Sequence, residues 1–173
     1  LASIGAAVYE INPYGVHGAQ GNRLSLLAHL TPDSPRLVAD SRRTARTFIP
    51  ESETGRDQFF EQKAQNWLDA IIRGLVHLDG GVSPASIYKL LGMIRSAPDA
   101  WDEMAELMAA LGEPDLAVTF AEMLEMRLDA ERTYQSVMGE LSNRLSFMAD
   151  RALQDAFSHG SNADFSLNTL CEN

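Results

Sequence analysis

The sequence predicts an all-α fold, a multi-helix bundle held between two short strand-like ends. Three features carry that reading. Apolar residues recur every three or four positions through most of the stretch from Ser34 to Ser158, the spacing that gathers one face of a helix. Helix openings and stops are written into the same stretch: Ser34-Pro35, Ser83-Pro84, Pro98 and Pro114 open, and Gly80-Gly81 and Gly112 close. Strand-like composition, by contrast, is confined to the two ends.

The elements follow in order. In "AAVYEINPYG", Val8, Tyr9 and Ile11 favour a pleated surface, and Asn12-Pro13 with Gly15 predicts a turn that ends the strand. Residues 15–33 read as a loop holding at most two helical turns in "LSLLAHL". "SPRLVADSRRTARTFIP" begins with a Ser N-cap and a Pro at the first helical position, and stops before Pro50. The long helix "GRDQFFEQKAQNWLDAIIRGLVHL" places Phe60, Ala64, Trp67, Ile71, Leu75 and Leu78 on one stripe, widened by Leu68 and Ile72. "SPASIYKLLGMIRS" puts Ile87, Leu90, Leu91 and Ile94 on one side, and "PDAWDEMAELMAALG" is short and acidic. From Pro114 one long helical region is expected to run to about Ser158, with Tyr134, Met138, Leu141, Leu145 and Met148 as a seam and Gly139 as a bend or close crossing. A His159–Ala163 linker then precedes Phe165, Leu167 and Leu170, a returning strand or turn. The organisation is therefore 1–33 as strand and loop, 34–158 as the helical domain, and 159–173 as linker and return strand. A lone strand at each end needs a sheet to pair with, and the opening "LASIGAAVYE" has no initiator methionine. The sequence is thus expected to be a helical insertion between two strands of a sheet that belongs to a longer chain.

Composition narrows the function. With 173 residues and 45% apolar content the chain can build one domain with a substantial core, and wholesale disorder is excluded. No run of about 18 apolar residues predicts a membrane-crossing helix. The net charge of −10 is uneven: residues 1–50 hold five arginines against three acids, whereas Ala97–Glu131 holds ten acids and one base, Arg127. Such a surface repels phosphate backbones and attracts basic proteins. Asp99, Asp102, Glu103, Glu106, Glu122, Glu125 and Asp129 are its candidate partner-binding residues.

Catalytic patterns are not found. His17, His29, His77 and His159 lie far apart with no helical metal-ligand spacing, and the single Cys171 permits neither an internal disulfide nor a thiolate cage. There is no Gly-x-Ser-x-Gly elbow, no Gly-x4-Gly-Lys-[Ser/Thr] loop and no Gly-x-Gly-x-x-Gly after the first strand, so catalytic, cofactor and metal sites are expected to be absent. The acids read mainly as solvated helix faces, and a carboxylate enzyme site is the rival reading. Arg36, Arg42, Arg43 and Arg46 form the basic concentration; Arg36, Arg43 and Arg46 share a face and are the candidate contact for DNA or phosphate, set against pairing with the acidic half of the domain. Met93, Met104, Met108, Met123, Met126, Met138 and Met148 fall mostly on apolar stripes and read as core, with an adaptable groove as the alternative.

Four motifs in order give a resemblance. "VYEINPYG" (Val8 to Gly15), "DQFFEQKAQNWLDAIIRGLVHL" (Asp57 to Leu78), "ERTYQSVMGELSNRLSFMAD" (Glu131 to Asp150) and "DFSLNTL" (Asp164 to Leu170) together resemble the all-alpha domain of type IV secretion coupling proteins, the TraG/TraD-like conjugation ATPases. Two positions depart from the family pattern: Phe60 where Trp is frequent, and Asn22-Arg23-Leu24 in place of Asn-Pro-Leu. The resemblance implies a helical domain leaving and rejoining the ATPase sheet of a hexameric motor anchored in the bacterial inner membrane, with the domain on the cytoplasmic side and without membrane contact of its own. It implies that ATP and Mg belong to the parent protein and that this chain is no enzyme by itself. It also implies partners: a relaxase or other relaxosome proteins, secreted effectors, the rest of the hexamer, and DNA as the alternative.

Overall fold

The computed structural model describes residues 8–16, 18, 21–52, 58–158 and 160–171, and within them the fold is an all-α bundle. α1 (Leu37–Phe48), α2 (Gln58–Asp79), α3 (Pro84–Ser96), α4 (Pro98–Ala109), α5 (Pro114–Asp129) and α6 (Glu131–Arg144) make its body, and a short α7 (Arg151–Ala156) closes it. Two-residue strands β1 (Leu24–Ser25) and β2 (Phe165–Ser166) flank the bundle, and α8 (Leu167–Cys171) follows.

α2 is the pillar of the bundle. It packs against α1, α3, α5 and α6, and from Ala64 to Val76 every residue but Asn66 is buried. A one-sided stripe therefore understates it: the stripe is surrounded on all sides, and the price is that Gln65, Asp69 and Arg73 are buried too. Trp67, 1% exposed, lies against Tyr134 of α6 with ring centroids 5.5 Å apart. Each fully buried Leu, Ile or Trp of this core contributes about 1.5–3 kcal/mol, so the α2–α6 contact is a principal source of stability. At the other side Trp101 of α4 meets the edge of Phe120 of α5 at 6.1 Å.

Local chemistry sets most boundaries. Ser83 caps α3 with a reciprocal box, its hydroxyl accepting from the Ser86 N–H while the Ser86 hydroxyl accepts from the Ser83 N–H. α1 begins later than expected. Ser34 closes a preceding turn instead, its carbonyl accepting from the Leu37 N–H at 3.0 Å, and Arg36 stands at the N-cap without a side-chain capping bond. Gly80, at φ +73°, ends α2 where expected.

Three expectations change. The helix expected over 114–158 is interrupted at Ala130, where φ is −137° and ψ 49°, and again by a 3-10 turn over Ser146–Ala149. Its apolar stripe continues in phase through the first break, but a straight helix of that length would extend about 67 Å, roughly twice the length of α2. Breaking it lets α5 and α6 both lie on α2 and on each other, which buries both halves of the stripe.

The close helix crossing is at Gly74 rather than Gly139. A Cβ on Gly74 would sit 2.6 Å from Met108 Sδ, while one on Gly139 would meet nothing within 4 Å.

At the first end, residues 8–11 form no strand; the first two residues of that expected strand, 6–7, lie outside the described residues. The Asn12–Gly15 turn folds the chain back so that the Glu10 carbonyl accepts from the Asn22 N–H at 2.6 Å, and the strand itself begins only at Leu24, inside the stretch expected to be a loop with helical turns. β1 pairs in parallel with β2, Leu24 opposite Phe165 and Ser25 opposite Ser166. Arg23 and Asp164 clamp the pair, the Arg23 N–H donating to Asp164 Oδ2 at 2.7 Å and the Asp164 N–H to the Arg23 carbonyl at 2.8 Å. Tyr9 stacks on Phe165 at 4.4 Å. The two short strands thus lie side by side, the first supplied by Leu24–Ser25 and not by the segment expected to be a strand.

Candidate functional site

The acidic residues split into two groups. On α4, Asp99, Glu103 and Glu106 stand at i, i+4 and i+7, share one face, and are exposed. On α5, Glu122, Glu125 and Asp129 stand at i, i+3 and i+7, with Glu125 and Asp129 exposed. Two of the seven are neutralised within the fold. Asp102 Oδ2 accepts from Arg127 Nη2 at 2.5 Å, and Glu122 Oε1 accepts from Lys63 Nζ at 2.5 Å. Arg127 also donates to the Pro98 carbonyl at 3.4 Å, which ties the start of α4 to the end of α5. The one base of the acidic segment is therefore consumed structurally. Asp99, Glu103, Glu106, Glu125 and Asp129 carry no ion pair among the described residues.

The arginines of α1 do not act as one patch. Arg36 and Arg43 both pair with Asp40, at 3.3 Å each. Arg46 lies with Arg42 beside a separate polar cleft of about 380 Å³ between α1, α2 and α5. Arg42, which pointed elsewhere in the sequence pattern, bridges Asp69 at 3.6 Å and Asp115 at 3.7 Å.

Beneath that cleft is a network that periodicity did not reveal. Arg73, 2% exposed, donates through Nη2 to Asp69 Oδ2 at 3.2 Å and to Asp115 Oδ2 at 2.7 Å, and through Nη1 to Glu113 Oε2 at 2.5 Å. Ser41 of α1 donates to Asp69 Oδ1 at 2.5 Å, and His77 Nε2 lies 2.5 Å from Glu113 Oε1. Burial alone would push the Arg73 guanidinium down; the hydrogen bond to Asp115 and the charges of Asp69, Asp115 and Glu113 outweigh it and hold the group above its ordinary value. The Arg73 hydrogen bond holds Asp115 below the usual carboxylate range. A carboxyl held down in this way is the reverse of one poised to donate a proton, so the cluster reads as a support that joins α1, α2 and α5. The signal in the sequence was the i, i+4 pair Asp69/Arg73 inside an otherwise apolar helix.

Elsewhere the expected residues stay apart. His17 and His159 lie outside the described residues, His29 is half-buried, and His77 belongs to the ion network. Among the described residues no group of three His, Cys, Asp or Glu is placed to hold a metal ion, and no helix is long and apolar enough to cross a membrane. The side chain of Cys171 lies outside the described part. Asp150 caps α7 by accepting from the Ala152 N–H at 2.8 Å, and it accepts from the Tyr14 hydroxyl at 2.8 Å. Tyr14 therefore fastens the first turn to α7.

Comparison with known proteins places this architecture. The family model described as type IV secretory system conjugative DNA transfer matches residues 2–173. No curated protein and no solved structure matches the chain. A match across nearly the whole sequence, with a helical bundle whose two flanking strands pair, leads to one assignment: the chain belongs to the type IV secretory system conjugative DNA transfer family and is a TraG/TraD-like coupling-protein domain.

Proposed function

We propose that this chain is the cargo-recognising helical domain of a coupling protein in type IV secretion, and that its acidic face holds basic regions of a relaxase, other relaxosome proteins or secreted effectors. The observation that carries the reading is the uncompensated charge on α4 and α5: Asp99, Glu103, Glu106, Glu125 and Asp129 are exposed, while the nearby Arg127 is already spent on Asp102. A surface of one sign steers oppositely charged partners toward it and turns away phosphate backbones.

In this reading the domain grips cargo and hydrolyses nothing. ATP and Mg act in the nucleotide-binding parts of the parent, a hexamer on the cytoplasmic side of the bacterial inner membrane. The adjacent, parallel β1 and β2 support such an insertion, because stems that leave and rejoin one sheet must come together. Direct DNA contact through Arg36, Arg43 and Arg46 has less support, since Arg36 and Arg43 already share Asp40.

The experiment is capture of candidate relaxosome components and effectors by the full chain and by a variant carrying Asp99→Lys, Glu103→Lys and Glu106→Lys. The wild type retains a basic partner and the reversed variant loses it. Equal capture by both proteins would sink the acidic contact.

A further inference from the structure

We propose that the groove between α3 and α4 is a docking site for an amphipathic, positively charged helix of a partner protein. The groove encloses about 770 Å³ and is lined on its floor and walls by Leu75 of α2, Leu90, Gly92 and Met93 of α3, and Met104 of α4. Met93 and Met104 are half-buried and packed against the core at one side only, so their flexible thioether chains remain free to fit an incoming surface. The apolar strip extends beyond the groove: Leu78, three residues past Leu75, is 40% exposed, and Leu107, three residues past Met104, is 57% exposed.

Gly92 is the second, independent observation. It is exposed inside α3, its φ is not positive, and a Cβ there would meet nothing within 4 Å. A glycine inside a helix weakens it relative to alanine, and nothing within the bundle requires this one. A bare spot beside Met93 permits another backbone to approach closely, as helix-on-helix packing needs. Contrast Gly74, where Met108 fills the space a side chain would take.

Charge selects the sign of the occupant. Within the groove one acid, Asp79, and one base, Lys89, balance each other. On α4, Glu103 immediately precedes Met104, stands at the rim of the groove and has no ion pair among the described residues, whereas Glu106, two positions past Met104, faces away from it. A helix that lays apolar residues on Leu75, Leu90, Met93 and Met104 thus brings its α4-side flank toward the unpaired Glu103 carboxylate, and lysine or arginine there is favoured. The proposal rests on the cargo-binding reading and deepens it, by naming the form in which the basic cargo is held.

The test titrates the full chain with a labelled peptide of about 18 residues, some five helical turns, carrying leucines on one face and lysines beside them. Two controls are a scramble that spreads the leucines round the helix and a version with glutamate for lysine. Expected are saturable binding of the first peptide, binding at least about tenfold weaker for both controls, and a similar loss for Gly92→Trp in the protein. Unchanged circular dichroism and melting of Gly92→Trp, and of a second variant, Met93→Lys, keep the result separate from unfolding.

Equal binding of the scrambled peptide, or full binding to Gly92→Trp, overturns the groove. If sedimentation shows a concentration-dependent dimer that Gly92→Trp abolishes, the occupant is a second copy and the proposal is wrong. Relaxase binding distinguishes the two readings: loss with Glu103→Lys and Glu106→Lys but not with Gly92→Trp leaves the acidic face standing and removes the groove, and the reverse pattern does the opposite.

Discussion

Arg73, in the middle of the most buried helix, donates to Glu113 in the turn before α5, 2.5 Å away. That contact joins the pillar of the bundle to the segment that starts its acidic half, and Asp69 and Asp115 share the same guanidinium. Removing the arginine leaves Asp69, 5% exposed, with the Ser41 hydroxyl and the more distant, half-exposed Arg42 at 3.6 Å as its remaining partners, and strips Glu113 and Asp115 of their shared cation. Arg73→Ala is therefore expected to cost about 3–5 kcal/mol in urea unfolding. A loss below about 1 kcal/mol would show that the network adds little to the fold.

Acid should weaken the same junction. Asp115 has its pKa lowered by the Arg73 hydrogen bond, so its contribution is complete above the ordinary aspartate pKa and is lost as pH falls through the lower folded value. Melting temperature should stay level above about pH 5 and fall below about pH 4, less steeply in Asp115→Asn than in the wild type. Identical acid limbs in the two proteins contradict the pairing.

Tyr134 makes an alkaline counterpart. Burial raises its pKa from 10.0 to about 12, and its hydroxyl has no hydrogen-bond partner among the described residues. The folded pKa lies above the unfolded one, so the neutral ring's contribution is complete below pH 10.0 and lost as pH rises toward about 12. Tyr134→Phe should melt at or above the wild-type temperature at pH 7, because no bond is broken, and should lose less stability between those two values. Loss of more than about 1 kcal/mol at neutral pH would point to a hydrogen bond made by that hydroxyl.

Two helical glycines give opposite expectations. Gly74→Ala forces Met108 to move inside a filled core and should destabilise by about 1–3 kcal/mol. Gly139→Ala meets open space and should stabilise by up to about 1 kcal/mol through helix propensity. Chemical unfolding of both variants decides it; a stabilised Gly74→Ala would contradict the packing at Gly74, and a destabilised Gly139→Ala the open space at Gly139.

The helices were legible because caps and apolar spacing are local. Ser83-Pro84 announced α3, Gly80 the end of α2, and the Trp67 stripe the pillar. What escaped depended on tertiary packing. Ala130 is neither glycine nor proline and its neighbours stay in phase, so only the limited length of α2 reveals that the helix must break there. Leu24 and Ser25 look like loop until Phe165 and Ser166 arrive beside them. Within the candidate surface the charge asymmetry was visible, but the consumption of Asp102 by Arg127 and of Glu122 by Lys63 was not. Those pairs join residues far apart in sequence, 25 and 59 positions respectively.

The most direct measurement is the dissociation constant between the full chain and the relaxase proposed as its partner, for the wild type and for the variant with Asp99, Glu103 and Glu106 changed to lysine. At about 0.05 M salt the wild type should bind at least about tenfold more tightly than the variant, and the gap should narrow as salt screens the exposed charges. Equal constants for both proteins at low salt, with the fold intact, would show that the acidic face does not hold this cargo.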